Sequence, residues 1–337
     1  MNSSVNSEPA SSKIWAICKT ILIKYNAPLF LVLLVIASSI ISPVFFTFRN
    51  IFNIFIQQTP YLLISLGVML TIMTAGIDLS VAAVAGCGSV LVSIIVFNYG
   101  YSGQGWLFVG IGCVLVLGCA IGCVNGLLIS KLRMPAFITT LAMMSAGQGL
   151  AFLMTGGAQM QLKNDNPASG PLIWFASARD ALGVPIAVYV IAVIILIFWF
   201  IMRYTSFGRL VLAIGSNEAA VRLAGLNVAR YKIVVYTISG GLAALAGVFV
   251  AGRTALGAPS VSQGDYALTT VAACVIGGVT LEGGKGTVLF TVIGVLILAL
   301  ITNIMNLINV PTYWQWIAKG VIIVLAILLS RLGQGKD

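Results

Sequence analysis

Residues 203–232, RYTSFGRLVLAIGSNEAAVRLAGLNVARYK, decide how this chain is read. Five of its 18 Lys and Arg residues fall there, between two apolar runs each long enough to cross a bilayer. Loops that carry Lys and Arg stay on the cytoplasmic side, so this stretch is predicted to be the largest cytoplasmic surface. Within it, residues 217–225 read as a short helix. Ser216 or Asn217 can cap it, Glu218 suits its first turn, and Gly225 can end it. A short capped helix at the inner face of a membrane is a handle for a partner. An ordinary basic loop that only obeys the topology rule is the plainer reading.

Working outward, the 337 residues are 60% apolar and 8% charged, with a mean hydropathy of +1.08. That leaves too little polar surface to cover a soluble globule, so the chain is predicted to be an all-α polytopic membrane protein. The net charge of +10 lies in clusters at the ends of apolar runs, which serves topology and not nucleic-acid binding. Cys87, Cys113, Cys119, Cys123 and Cys274 lie inside apolar runs and Cys18 precedes the first, so they read as small packing residues. The absence of His and the few carboxylates exclude His-based acid/base chemistry and His-ligated metals, and no metal site is expected.

Residues 1–24 read as a cytoplasmic tail that ends in an interfacial segment, where Lys13, Lys19 and Lys24 alternate with apolar residues. Basic residues before an apolar run also resemble a signal peptide, but no small-residue cleavage site follows and an uncleaved first span is favoured. A single transmembrane domain is expected over 25–331 and a short cytoplasmic tail over 332–337. At about 1.5 Å per residue a span needs roughly 20 apolar residues. About ten candidates stand at 27–46, 59–75, 79–97, 106–130, 135–155, 185–202, 233–251, 267–281, 287–307 and 315–330. With the N-terminus inside, 13 basic residues fall in inner segments against four outside (Arg49, Lys163, Arg179, Arg253), with Lys319 inside a span. Both termini are therefore expected in the cytoplasm, with an even number of spans. The longest outer segment, 156–184, is polar and suits a surface that meets another molecule.

Asp78, in TAGIDLSV (74–81), has no charged neighbour. A carboxylate at bilayer depth costs about 2.5 to 3.5 kcal/mol on insertion scales. Two roles fit, and they are compatible: Asp78 caps a helix restarting at Leu79, or it faces a polar path. Ser80, Asn125 and Asn303 join it as candidate pathway residues. Gly118, Gly122 and Gly126 recur every four residues and form a flat face for close helix packing, with Asn125 beside it as an interhelical or pore-lining group. The stretch GGVTLEGGKGT (277–287) superficially resembles a phosphate-binding loop. That motif needs Gly where Val279 stands and Ser or Thr where Gly286 stands, so a tight inner turn with a Glu282/Lys285 pair is expected instead.

These pieces together resemble the membrane-spanning permease subunits of bacterial ABC importers for ribose, arabinose, xylose and related monosaccharides. AGIDLSV (75–81), MPAFITTLA (134–142), FGRLVLAIGSNEAAVRLAG (207–225) and GGVTLEGGKG (277–286) carry the resemblance in family order, across about residues 27–331. It implies a type II-like permease fold in the bacterial inner membrane, paired with a second permease copy or a paralogue. It also implies a cytoplasmic ATPase that uses ATP, with no cofactor on this chain, and a periplasmic sugar-binding protein. Asn217, Glu218, Ala219, Ala220 and Gly225 would then belong to the coupling helix that docks in the ATPase. The sequence departs from the family at Ala75, where Gly usually stands, and at Ala267-Leu268-Thr269, where many members have Glu-Leu-Asp. An ion-coupled secondary transporter of a small polar solute is the alternative. That class keeps several intramembrane ionisable groups, and Asp78 and Lys319 are the candidates here. A membrane-embedded enzyme lacks a catalytic constellation.

Overall fold

The computed structural model describes residues 26–334 except 182. The expected N-terminal tail and interfacial segment, Cys18 and residues 335–337 lie outside the described residues. Helices stand at all ten expected positions: α1 (Asn26–Ile41), α2 (Phe48–Met73), α3 (Val81–Tyr99), α4 (Gly105–Ser130), α5 (Ala136–Leu153), α7 (Ile186–Tyr204), α10 (Val228–Thr254), α11 (Tyr266–Ile276), α12 (Val288–Leu307) and α13 (Thr312–Gln334). Between them lie α6 (Ser169–Ser177), α8 (Ser206–Ser216), α9 (Glu218–Leu223) and a two-residue antiparallel pair, β1 (Met160–Gln161) with β2 (Leu256–Gly257). The last helix runs past the expected boundary at Arg331.

Seven helices among the described residues, α2, α3, α4, α5, α7, α10 and α12, are long and apolar enough to cross a membrane. The chain is a multi-pass membrane protein. The expected span at 267–281 is corrected: α11 has only 11 residues, about 16 Å at 1.5 Å per residue and half of a roughly 30 Å hydrocarbon layer. The helix ends at Ile276, five residues before the expected end, and Gly278, at φ 84°, turns the chain away. The span at 59–75 begins instead at Phe48 and runs through Pro60. Its polar first turns are satisfied inside the protein, where Asn50 and Asn303 exchange amide hydrogen bonds of 3.1 and 2.8 Å. Beside the proline the Thr59 hydroxyl donates to the Phe55 carbonyl at 3.0 Å.

α2, α3 and α10 form the centre, 72% buried over their membrane-length windows, whereas α4, α5 and α7 are 17–22% buried and form the periphery. The glycine face of α4 packs on α10 as expected. A Cβ on Gly118 would lie 2.5 Å from the Gly240 carbonyl oxygen, one on Gly122 2.2 Å from that of Tyr236, and one on Gly126 2.6 Å from the Ile233 Cα. With backbones this close, dispersion and the lack of side-chain bulk replace the hydrophobic drive that lipid cannot provide. The cysteines described, Cys87, Cys113, Cys119, Cys123 and Cys274, are unpaired.

The connections gather at two ends. At one end, the Gly284 amide donates to the Met73 carbonyl at 3.0 Å, and a cavity is shared by residues of 74–76, 129–136 and 218–236. At the other, the Leu162 amide donates to the Ala255 carbonyl at 2.9 Å and Asn166 Nδ2 donates to the Val96 carbonyl at 3.1 Å. The turn at 277–287 forms with Gly283, Gly284 and Gly286 all at positive φ. Glu282 and Lys285 do not pair, which corrects the expectation. The turn is held by backbone hydrogen bonds, Gly283 N–H to the Thr280 carbonyl at 3.0 Å among them.

Candidate translocation and coupling site

Between α2 and α3 the helical ladder stops for seven residues, 74–80, within the protein. Ala75 takes the left-handed conformation there, at φ 57°, which costs an L-residue with a Cβ about 1–2 kcal/mol and explains why glycine suits this place. Ala75→Gly is expected to raise stability by about 1 kcal/mol by relieving that strain, read as a higher unfolding temperature of the solubilised protein. An unchanged or lower value would show that the position is not strained.

Three residues on, Asp78 is fully buried. Its Oδ1 accepts the Ser80 amide at 3.0 Å and the Ser80 hydroxyl at 2.6 Å, and its Oδ2 accepts the Ser239 hydroxyl of α10 at 2.8 Å. Asn125 of α4 donates from Nδ2 to Ser80 Oγ at 2.9 Å. Helix α3 starts at Val81, not Leu79. Asp78 therefore takes up the free amide just ahead of the helix. Three of the four candidate pathway residues, Asp78, Ser80 and Asn125, are brought together. Asn303 is not: it pairs with Asn50 near the opposite end of α2. Ser239 and Tyr236, whose hydroxyl is 3.5 Å from the Ile77 carbonyl, were missed. The signal for them was their i, i+3 spacing in the first turns of the long run behind Lys232.

Below this cluster lies a cavity of about 270 Å³. It is lined by the buried Gly76 and Tyr236 and by the more exposed Arg133, Glu218, Arg222 and Lys232. Glu218 pairs with Arg222 in its own helix and with Lys232 at 2.7 Å. Burial pushes the Glu218 carboxyl up, but the hydrogen bonds and charges of Lys232 and Arg222 outweigh it and hold the group below its ordinary value. Glu218 and Lys232 thus tie α9 to the first turn of α10. On the same face of α10, four and seven residues on, stand Tyr236 and Ser239, which touch the break at 77–78.

The short helix forms as expected. Asn217 is its cap, accepting the Ala220 amide at 2.9 Å, while Ser216 closes the preceding helix. At its end the Gly225 amide donates to Arg222 at 3.0 Å and the Leu226 amide to Val221 at 3.3 Å, with Gly225 at φ 79°; this pair of bonds satisfies the last carbonyls. Val221 is buried with Ile214 and Val228. Ala219 and Ala220 face outward, and Leu223, which was not singled out in the sequence, is 90% exposed. A leucine so exposed on a helix anchored at both ends has no role in this chain's own core. Behind the helix, Gly215 comes so near the Met73 carbonyl and the Gly284 amide that no Cβ fits. The end of α8, the end of α2 and the glycine turn therefore touch backbone to backbone.

Residues 50–327 match the family model described as the branched-chain amino acid transport system / permease component. The chain belongs to this permease family. The "Ribose import permease protein RbsC" of Escherichia coli strain K12 is 38% identical over 317 residues, 94% of this chain and 96% of that protein. The "L-arabinose transport system permease protein AraH" of the same strain is 35% identical over 312 residues, 92% and 91% of the two chains. The "Ribose import permease protein RbsC" of Bacillus subtilis strain 168 is 35% identical over 311 residues, 89% and 90%. No solved structure matches the chain.

Proposed function

We propose that this permease is the membrane subunit of an ATP-driven importer that moves a monosaccharide, a pentose or hexose, across the bacterial inner membrane. The full-length similarity to permeases named for ribose and arabinose import carries the reading. On it, the end that holds α9 and the basic loops is cytoplasmic, the ten helix positions alternate in direction, and both termini are inside. ATP is bound and hydrolysed by a separate ATPase subunit, a periplasmic protein delivers the sugar, and a second permease copy or a paralogue completes the pathway.

The geometry supports a specific way of coupling. A partner shifts a conformational equilibrium only through contacts that differ between states. Helix α9 is held rigidly by its two caps and by Val221, so force applied to its outer face passes on instead of being absorbed. Lys232 receives it through Glu218, and α10 carries it to Ser239 and the Asp78 break. Leu223 fills an apolar groove of the ATPase, with Ala219 and Ala220 small enough to let the helix approach.

The test is uptake of radiolabelled ribose or arabinose into proteoliposomes that contain the permease, the ATPase and the binding protein. Uptake is expected to require all three and ATP; ion-driven uptake by the permease alone would establish the secondary-transporter reading instead. Ala220→Trp and Leu223→Asp are expected to abolish uptake and loosen copurification of the ATPase. Permease abundance should be unchanged, because both side chains point away from the core. Normal transport by both variants would return residues 203–232 to an ordinary basic loop.

A further inference from the structure

Among the described residues a second interruption lies between α10 and α11. After β2 a 3-10 turn, Pro259–Gln263, dips inward along α3 and α11 starts afresh at Tyr266. Just ahead of it stands Asp265. Its Oδ1 accepts the Tyr61 hydroxyl at 2.7 Å, and its Oδ2 accepts the Thr269 hydroxyl at 3.1 Å and Lys319 Nζ of α13 at 2.9 Å. Tyr61 is near the middle of the 26-residue α2, about 18–20 Å from either end at 1.5 Å per residue. The pair is therefore at mid-membrane depth.

Two observations separate this cluster from an ordinary buried ion pair. The Asp265 and Lys319 side chains remain 36% and 19% exposed. An open ion pair at that depth is costly against lipid, so this face borders a polar path or another polypeptide. Beside it, a crevice lined by Gln58, Tyr61, Ser65 and Thr269 holds the Ser65 hydroxyl, 1% exposed and without a hydrogen-bond partner. A buried hydroxyl left unpaired is costly unless a partner reaches it in another state. The crevice is about 10 Å³, too small for a sugar ring, so a ligand meets the cluster from its open side. The Tyr61 and Tyr266 rings, 4.8 Å apart, add apolar faces beside the charges. Short helices that begin at mid-membrane are where transporter substrate sites are built.

We propose that Asp265, with Lys319 and Tyr61, is a substrate contact of the translocation path, accepting hydrogen bonds from the sugar's hydroxyls at mid-membrane. This rests on the reading of the chain as a monosaccharide permease. A carboxylate accepts from two adjacent hydroxyls, Lys319 donates to a ring or hydroxyl oxygen and leaves the pair net neutral, and Tyr61 supplies both a hydroxyl and a face for the sugar's C–H surface.

The experiment uses the assembled complex in proteoliposomes. Asp265→Asn is expected to lower sugar uptake roughly tenfold, the weight of one charge-assisted hydrogen bond. Permease abundance and ATPase stimulation by loaded binding protein should persist. The preference for the sugar over its analogue lacking one hydroxyl should fall. The charge swap Asp265→Lys with Lys319→Asp restores an ion pair but moves the acceptor to α13, and it is expected to stay defective. Recovery in the swap would show that the pair only tethers α13, and full uptake with unchanged preference in Asp265→Asn would equally overturn the inference. Failure of the wild-type complex to take up any sugar would sink the importer reading itself.

Discussion

Gly122→Leu is expected to leave almost no folded permease in the membrane. A Cβ at that position would lie 2.2 Å from the Tyr236 carbonyl oxygen and 3.0 Å from the Thr237 Cα, both backbone atoms that no rotamer change can move. Relief requires α4 and α10 to part along a seam that also includes Gly118, Gly126 and Gly240. The Gly240 Cβ would itself meet the Gly118 carbonyl at 2.2 Å. Overpacking against mobile side chains costs about 1–3 kcal/mol. Overpacking of one helix backbone against another is expected at or above the top of that range. It also displaces Tyr236 and Ser239, and with them the Asp78 cluster. Size-exclusion chromatography of the solubilised protein should show loss of the monodisperse peak. Gly112→Leu, in the same helix and with nothing within 4 Å of its Cβ position, should behave as wild type. A well-folded, active Gly122→Leu variant would show that α4 and α10 do not pack as described.

Asp78→Ala is expected to lower uptake by more than tenfold while a substantial part of the protein still accumulates. The substitution strips the acceptor from the Ser80 amide, the Ser80 hydroxyl and the Ser239 hydroxyl at once. Each buried polar group left unsatisfied costs about 1–3 kcal/mol, although the hydroxyls can rotate to recover some of it. The lost contact with Ser239 also unlinks α10 from the break in the chain, which is the last step of the proposed coupling path. Asp78→Asn keeps one carbonyl-type oxygen for the Ser80 amide and should retain part of the activity. The measurement is initial uptake rate normalised to permease abundance. Wild-type rates in Asp78→Leu at normal abundance would remove Asp78 from any essential role.

Much of this protein was legible in one dimension because lipid imposes a simple rule. A backbone in hydrocarbon must satisfy its own hydrogen bonds, so apolar runs of sufficient length become helices, and basic residues collect between them. Helices consequently stand at the ten runs, and among the described residues seven of them are long and apolar enough to cross a membrane. The cap at Asn217, the turn-off at Gly225 and the packing face of Gly118, Gly122 and Gly126 were readable for the same reason, since each depends on neighbours within a few residues. The solitary Asp78 stood out because a carboxylate is expensive at that depth.

What tertiary structure alone decided are the partners. Asn303 looked equivalent to Asn125 as a polar residue in an apolar run, but packing set it against Asn50 and Asn125 against Ser80, some 250 and 45 positions away. Lys319 stood unmatched because its partner Asp265 lies 54 residues earlier in a connection that reads as a loop. Only the fold carries that connection beside Tyr61 in the middle of α2. Glu282 and Lys285, close in sequence, stay apart because three glycines turn the chain between and beside them. Hydrophobic period and capping are local and therefore written along the chain. Which polar groups meet depends on how helices cross, and that is settled by the shape of whole faces, here the glycine seam between α4 and α10.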